Sequence, residues 1–398
     1  MIKIVEINNN NYGSTGNIML NIAKEARNKG YEVYTACKNS KQAKKFFNPN
    51  HIYIGIWLER IVSERLAYFI GLKNHFNVIG TLLFIKKLKS IHPNLVHMHN
   101  MHDTYLNLNL LFTYLSKNNI PVVWTFHDCW PITGQCTYFD MAKCNKWIDG
   151  CNNCPQIHKH PDTRIDKTNT LWKEKKKWFN KLNNLTIVAP SIWLSNLIRK
   201  SFLSNHLVKV INNGIDLERF KPIPSTFRNN YKIENKIILL GVAYNWTERK
   251  GIDVFIELSK LLPNKYQIVL VGTNDEIDST LPDNIISIHK TYNQEELIEI
   301  YSACDLFINP TREENFPTVN IEAMACGLPV ITFNTGGAGE MISNESGKII
   351  AQNNIKELID VIQNYSFNKK ACIKQASLYS SKQKFNEYID LYDSLLKQ

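Results

Sequence analysis

Thr311–Val330 reads TREENFPTVNIEAMACGLPV; it follows one short apolar run, Leu306–Ile308, and leads into a second, Pro329–Phe333. Apolar runs of this length, bounded by turn residues, read as buried strands. Pro317 suits a first helical turn, and Gly327 followed by Pro329 is a stop signal, so Val319–Cys326 is expected as a helix. Strand, helix, strand predicts a parallel pair with the helix on one face. Glu314 and Glu322 stand eight positions apart across Asn315-Phe316-Pro317-Thr318. Glu314 then falls just ahead of the helix and Glu322 inside it. A helix start offers unpaired N–H groups and a positive dipole end, which suit a phosphate. Carboxylates beside it can accept hydrogen bonds from sugar or ribose hydroxyls. One short segment can therefore hold a nucleotide-sugar; the alternative is an ordinary amphipathic helix with two solvated Glu.

The same grammar extends outward. Ile2–Ile7, Glu32–Ala36, Leu95–His97, Val122–Phe126 and Thr186–Ala189 read as buried strands, with a helix over Asn17–Lys29. A second series follows at Ile237–Val242, Gln267–Val271 and Ile285–His289, with helices at Ile252–Leu262 and Gln294–Ala303. Two successive blocks of this kind imply an α/β fold of two Rossmann-like domains. The length, 398 residues, also exceeds one ordinary core. The boundary is expected within Asn212–Thr226, where Asn212-Asn213-Gly214 is turn chemistry and Pro222 and Pro224 follow. A last helix is expected over Ser381–Lys397.

The segment around Glu314 and Glu322 resembles the Glu-x(7)-Glu signature of family-4 retaining glycosyltransferases. The likeness runs on through EAMACGLPV to Thr335-Gly336-Gly337 and Glu340. The resemblance implies a GT-B fold, with a cleft between the two domains. It assigns 1–215 to an acceptor-side domain, 216–380 to a nucleotide-sugar-binding domain, and 381–398 to a helix crossing back to the first. It implies transfer of a hexose-type sugar from a UDP- or GDP-sugar with retention at the anomeric carbon. The chain holds no Asp-x-Asp triplet, so no catalytic divalent metal is expected.

Ligands of doubly wound sheets bind beyond the carboxyl ends of the strands. After the first strand, Gly13 and Gly16 permit close backbone approach to a phosphate or sugar, or serve a turn that only packs. His127-Asp128 follows the Val122–Phe126 strand. A lone histidine there is ordinarily a core residue. The resemblance places His127 at the family's active-site histidine, orienting the donor or offsetting transition-state charge. In VHMHNMHD, it implies acceptor-side contacts by His99 and Asn100, joined by Asp128, with His97 buried. Arg249 and Lys250 follow the Ile237–Val242 strand. They read either as a solvated pair or as a clamp on the donor diphosphate. The family resemblance favours the clamp, although Gly241 is followed by Val242 where many members carry Arg. Gly272 ends the next strand, by the base. Donor binding is thus expected of Gly13, Gly16, Arg249, Lys250, Gly272, Glu314, Asn315, Phe316, Pro317, Thr318 and Glu322, and catalysis of His127, Arg249, Lys250 and Glu314.

Cys136, Cys144, Cys151 and Cys154 cluster within an expected insertion, about 129–160. Their spacing fits a closed structural zinc site; free thiols or a disulfide are the alternatives. The surrounding HDCWPITGQC and GCNNCP resemble a subgroup of the family in surface-polysaccharide assembly, including colanic-acid-type transferases. That subgroup implies a lipid-linked oligosaccharide acceptor and roles in O-antigen, lipopolysaccharide or capsule synthesis.

A net charge of +11 favours an anionic partner. Two stretches could meet an anionic membrane: the Lys-rich Trp172–Leu182, whose aromatics could instead pack inward, and Trp57–Lys89. The chain opens directly on a strand pattern, with no signal-peptide pattern, so a cytoplasmic enzyme at the inner face of the plasma membrane is expected. A basic, zinc-stapled nucleic-acid-binding protein is a competing reading, but no nucleic-acid motif is present and no nucleic-acid partner is expected. A GT-B epimerase or phosphorylase is the other; Glu314, Glu322, Arg249 and Lys250 speak for transfer.

Overall fold

A computed structural model describes residues 1–46, 50–364 and 366–397; residue 398, the last of the expected crossing segment, lies outside them. The chain divides into two compact units, Met1–Asn212 with Lys384–Gln398, and Asn213–Gln383.

The first unit carries β1 (Lys3–Ile7), β2 (Glu32–Lys38), β3 (His51–Ile54), β4 (Leu95–Met98), β5 (Val122–Thr125), β6 (Leu185–Ala189) and β7 (Leu207–Val210). They form one parallel sheet in the order β3-β2-β1-β4-β5-β6-β7. β4, β5 and β6 are buried at every position, as expected of strands covered on both faces. The strand order reverses between β1 and β4, and a doubly wound sheet opens its ligand crevice at such a point. The helix Ser381–Leu396 packs Phe385, Tyr388, Ile389 and Tyr392 against Ile4, Leu95, Val123 and Val188 of this sheet. Each such side chain contributes about 1.5–3 kcal/mol by leaving water.

The second unit repeats the plan. β8 (Ile237–Val242), β9 (Tyr266–Val271), β10 (Ile285–Ile288), β11 (Leu306–Asn309), β12 (Val330–Phe333) and β13 (Gly347–Ile350) form a parallel sheet in the order β10-β9-β8-β11-β12-β13. Its reversal lies between β8 and β11. The helix after β11 spans Thr318–Ala325.

Two differences from the sequence reading have physical causes. Strands β3, β7 and β13 went unread because all three lie at sheet edges, where exposed positions interrupt the apolar run; β7 shows one buried residue in four. The first helix begins at Gly13, not Asn17, so Gly13 and Gly16 form its opening turn. Glycine disfavours helix, which hid the start. A side chain at Gly16 would lie 2.9 Å from the Asn11 carbonyl carbon.

Candidate active site

In the second unit, the loops after β8 and β11 flank the strand-order reversal and are tied together by backbone. Arg312 N–H donates to the Arg249 carbonyl at 2.8 Å, and the Arg249 guanidinium donates to the Glu313 carbonyl at 2.8 Å. Gly251 adopts φ +77°, and a side chain there would meet the Pro310 carbonyl oxygen at 2.4 Å. The two loops can approach this closely only because that position is glycine. Across the junction Lys250 Nζ forms an ion pair with Glu314 Oε2. The side chains keep 22% and 14% of their exposure, so the pair is neither a surface pair nor fully sealed. Burial alone would raise the Glu314 carboxyl; the Lys250 ammonium, the Arg249 charge and the Asn315 N–H outweigh it and hold it below its ordinary value. Glu314 is thus an anion paired with Lys250 and stabilised by the charge of Arg249.

Pro317 caps the Thr318–Ala325 helix with no side-chain hydrogen bond to its first amides. The helix itself is anchored by Asn320, which accepts from Asn309 at 2.8 Å and donates to the Ala338 carbonyl at 3.1 Å. Glu322 accepts from Tyr301 Oη at 3.3 Å. Burial raises its carboxyl, against the hydrogen bonds from Thr318 and Tyr301. Phe316 is buried in the core, so only its backbone is left to meet a ligand, and Asn315 is buried beside it. Gly272 closes β9 at φ +91°; a side chain there would lie 1.6 Å from the Ala243 carbonyl oxygen.

In the first unit, the ends of β1, β4 and β5 bring together Asn8, His99, Asn100, His127 and Asp128. Asn100 N–H donates to Asn8 Oδ1 at 3.1 Å, and Tyr105 Oη donates to the Asn100 carbonyl at 2.9 Å. His99 Nδ1 and His127 Nε2 are 3.0 Å apart, with the rings stacked. Burial pushes His127 down to about 4, with Asp128 pulling it up and His102 adding to the fall. It is a neutral imidazole near pH 7, a hydrogen-bonding group and not a cation. His97 is buried, bonded to Tyr392 Oη at 2.6 Å and Thr125 Oγ1 at 2.8 Å.

The sequence reading passed over a charged network beside these residues. His102 lies 3.0 Å from Asp103 and 3.5 Å from Asp128. Burial would lower its imidazole, but hydrogen bonds and charge from both carboxylates raise it to about 9. Lys38 reaches Asp103 at 3.5 Å, and Asn9 donates to the same carboxylate. Adjacent His and Asp in the sequence hinted at this; the contribution of Asp128 is visible only in three dimensions.

The four clustered cysteines line one cavity with Phe139 and Trp147. On the helix Thr168–Phe179, Leu171, Trp172, Trp178 and Phe179 are buried, so of the two readings open to its aromatics the inward-packing one holds. The helices Trp57–Ile70 and Val78–Ile91 differ. They leave Trp57, Leu58, Val62, Phe69, Ile79 and Leu83 in solvent, Leu58 at 65% and Ile79 at 57%. Among the described residues no helix is long and apolar enough to cross a membrane.

Comparisons with known proteins bear on both units. Residues 15–219 match the family described as Glycosyltransferase Family 4, and residues 225–381 match Glycosyl transferases group 1. WcaC of Escherichia coli K12, a glycosyl transferase assigned to colanic acid biosynthesis, is 23% identical over 320 residues, covering 76% of this chain and 77% of WcaC. The N,N'-diacetylbacillosaminyl-diphospho-undecaprenol alpha-1,3-N-acetylgalactosaminyltransferase of Campylobacter jejuni is 28% identical over 222 residues, 51% of this chain and 58% of the relative. Among solved structures, sucrose-phosphate synthase from Thermosynechococcus elongatus aligns with a TM-score of 0.73 at 17% identity, covering 100% of both chains. Anabaena HepE in complex with UDP aligns at 0.69 with 16% identity, covering 99% of both. At these identities the solved structures establish the fold alone. With one family match spanning half of its residues and a second covering most of the remainder, the chain belongs to glycosyltransferase family 4 and is a glycosyltransferase of the GT-B fold.

Proposed function

We propose that this enzyme moves a hexose-type sugar from a UDP- or GDP-sugar to a lipid-linked glycan acceptor, with retention, during assembly of a surface polysaccharide such as capsule, O-antigen or lipopolysaccharide. The observation that carries this reading is the Lys250–Glu314 pair beside Arg249, at the strand-order reversal of the second unit. A nucleotide diphosphate needs cations, and a sugar needs a fixed carboxylate; this junction supplies both. The uncapped helix start at Thr318 adds amides for a phosphate, and Glu322 adds a carboxylate for hydroxyls. Anabaena HepE, of the same fold, has been solved in complex with UDP and with UDP-glucose. The Campylobacter relative's name specifies an undecaprenol-linked acceptor, and CapM of Staphylococcus aureus is named for capsular polysaccharide biosynthesis.

In the reaction, the bond from the anomeric carbon to the donor phosphate breaks as the acceptor oxygen bonds the same face of that carbon. The acceptor proton passes to the departing phosphate. Arg249 and Lys250 offset the charge that builds there. Glu314 and Glu322 hold hydroxyls, and neutral His127 with His99, Asn100 and Asp128 lines the acceptor side. No divalent metal takes part, and activity in EDTA checks that point. The exposed apolar face of Trp57–Ile70 and Val78–Ile91, with Lys86, Lys87 and Lys89 exposed beside it, suits an anionic membrane holding a lipid-linked acceptor. The enzyme then works at the inner face of the plasma membrane. Thermal-shift measurements with a panel of nucleotide-sugars test donor binding. One donor class should stabilise the wild type and neither Lys250→Ala nor Glu322→Ala; no stabilisation by any donor would overturn the reading.

A further inference from the structure

The loop after β5 gathers four thiols that glycosyl transfer does not use. Cys136, Cys144, Cys151 and Cys154 line one cavity whose wall includes the stacked rings of Phe139 and Trp147, 5.1 Å apart. None of the four is in a disulfide. A backbone N–H already points at sulfur: Gly134 donates to Cys151 Sγ at 3.1 Å. Such N–H bonds orient thiolate ligands and tune their basicity.

Lys175 supplies a second, independent observation. Its side chain is buried, with Nζ donating to the Trp130 carbonyl at 2.8 Å and the Thr133 carbonyl at 3.1 Å, and lying 3.4 Å from the Trp130 ring centroid. Among the described residues no carboxylate is within ion-pair distance of it. Burial pushes the Lys175 ammonium down to about 7, against charge on Cys151, Cys136 and Asp128, so the cation needs a buried anion beside it. The peptide that accepts from Lys175 through the Thr133 carbonyl donates to Cys151 Sγ through the Gly134 N–H. One polarised peptide therefore connects the ammonium to the sulfur cluster.

We propose that Cys136, Cys144, Cys151 and Cys154 bind one zinc ion as a closed four-thiolate site, with Lys175 as its buried counter-ion. Four thiolates and a divalent ion leave two negative charges, and the ammonium offsets one. Zinc suits soft sulfur ligands in tetrahedral array, and four protein ligands leave no open position, so the ion staples the loop and performs no chemistry. No three of the sulfurs lie within 4.8 Å of one another among the described residues, so the loop must draw in around the ion. Rotating a cysteine between staggered positions moves its sulfur by roughly 3 Å, enough for that closure. The site stands independently of which sugar or acceptor the enzyme uses.

The test is elemental analysis of the full chain, purified without chelator, followed by cobalt substitution. One zinc per chain and intense thiolate-to-cobalt absorption are expected. Lys175→Met should keep the stoichiometry and lower zinc affinity about 10- to 100-fold in chelator competition. Absence of zinc together with absence of the cobalt–thiolate bands would overturn the site. So would full zinc occupancy in Cys151→Ser/Cys154→Ser. Equal chelator resistance in Lys175→Met would overturn the counter-ion. Should the double variant fail to fold, the cobalt spectrum of the wild type still decides.

Discussion

Replacing Lys250 with Met removes the ammonium paired with Glu314 and keeps most of the stem's volume. The cost follows from where the pair sits. Exposed pairs are worth about 0–1 kcal/mol, and breaking a buried one costs about 3–5 kcal/mol. At 22% and 14% exposure this pair lies between, and the Asn315 N–H, 3.1 Å from Glu314, together with Arg249, cushions the orphaned carboxylate. A loss of about 2 kcal/mol is expected, which lowers the melting temperature of a domain this size by about 4–8 °C. The pH dependence has a definite sign. Glu314 has its carboxyl lowered in the folded state, so the pair's contribution is full above the ordinary value of 4.5. It is lost as acid takes the carboxyl through its lowered value, and the gap between wild type and variant closes there. Ligand binding separates this structural effect from function. A charge-assisted bond to a phosphate is worth about 1.5–3 kcal/mol, so nucleoside diphosphate affinity should fall roughly 10- to 100-fold in Lys250→Met. Glu314→Gln breaks the same pair but leaves the cation, and should keep that affinity. Calorimetric titration with UDP and GDP measures both. Equal affinity in Lys250→Met and wild type would exclude Lys250 as a diphosphate ligand.

Further outcomes are expected elsewhere in the molecule. His102 is raised to about 9 by Asp103 and Asp128, so its contribution to the first unit is complete below 6.5 and disappears as pH rises through 9. The change is of order 3 kcal/mol; denaturant midpoints across that range should fall in the wild type and stay flat in His102→Gln. Gly272→Ala forces a side chain to within 1.6 Å of the Ala243 carbonyl oxygen at φ +91°, and should cost about 3 kcal/mol or more. A melting temperature unchanged by that substitution would contradict the close approach of these loops. Leu58→Glu/Ile79→Glu places charge on the exposed apolar face and should abolish co-sedimentation with anionic vesicles while sparing nucleoside diphosphate binding.

Much of this architecture is legible in local sequence because it depends on local physics. Residues 237–242 and 294–303 are read end to end, since a strand buried at its four central positions and a capped amphipathic helix carry their signal within a few residues. Edge strands such as His51–Ile54 and Leu207–Val210 do not, because pairing on one side frees their residues from being apolar. The Lys-rich run around Trp172–Lys181 illustrates a different limit. Its periodicity locates the helix but cannot say whether the aromatic side faces lipid or core, and Lys175, one of several similar lysines, is the one that is buried. Lys250 and Glu314 each suggest phosphate or sugar chemistry alone. Their pairing depends on Gly251 and Pro310 letting two distant loops meet, a constraint that separation along the chain conceals.

Acceptor-dependent release of nucleoside diphosphate is the most direct test of the proposed transfer. The purified full chain would be incubated in EDTA with UDP- and GDP-sugars and a polyprenyl-diphosphate-linked glycan. UDP or GDP should be released from one donor class, matched by glycosylated lipid, and at least 100-fold more slowly in Lys250→Ala. Release that is equally fast in Lys250→Ala, or no transfer from any donor, would contradict the proposed transfer.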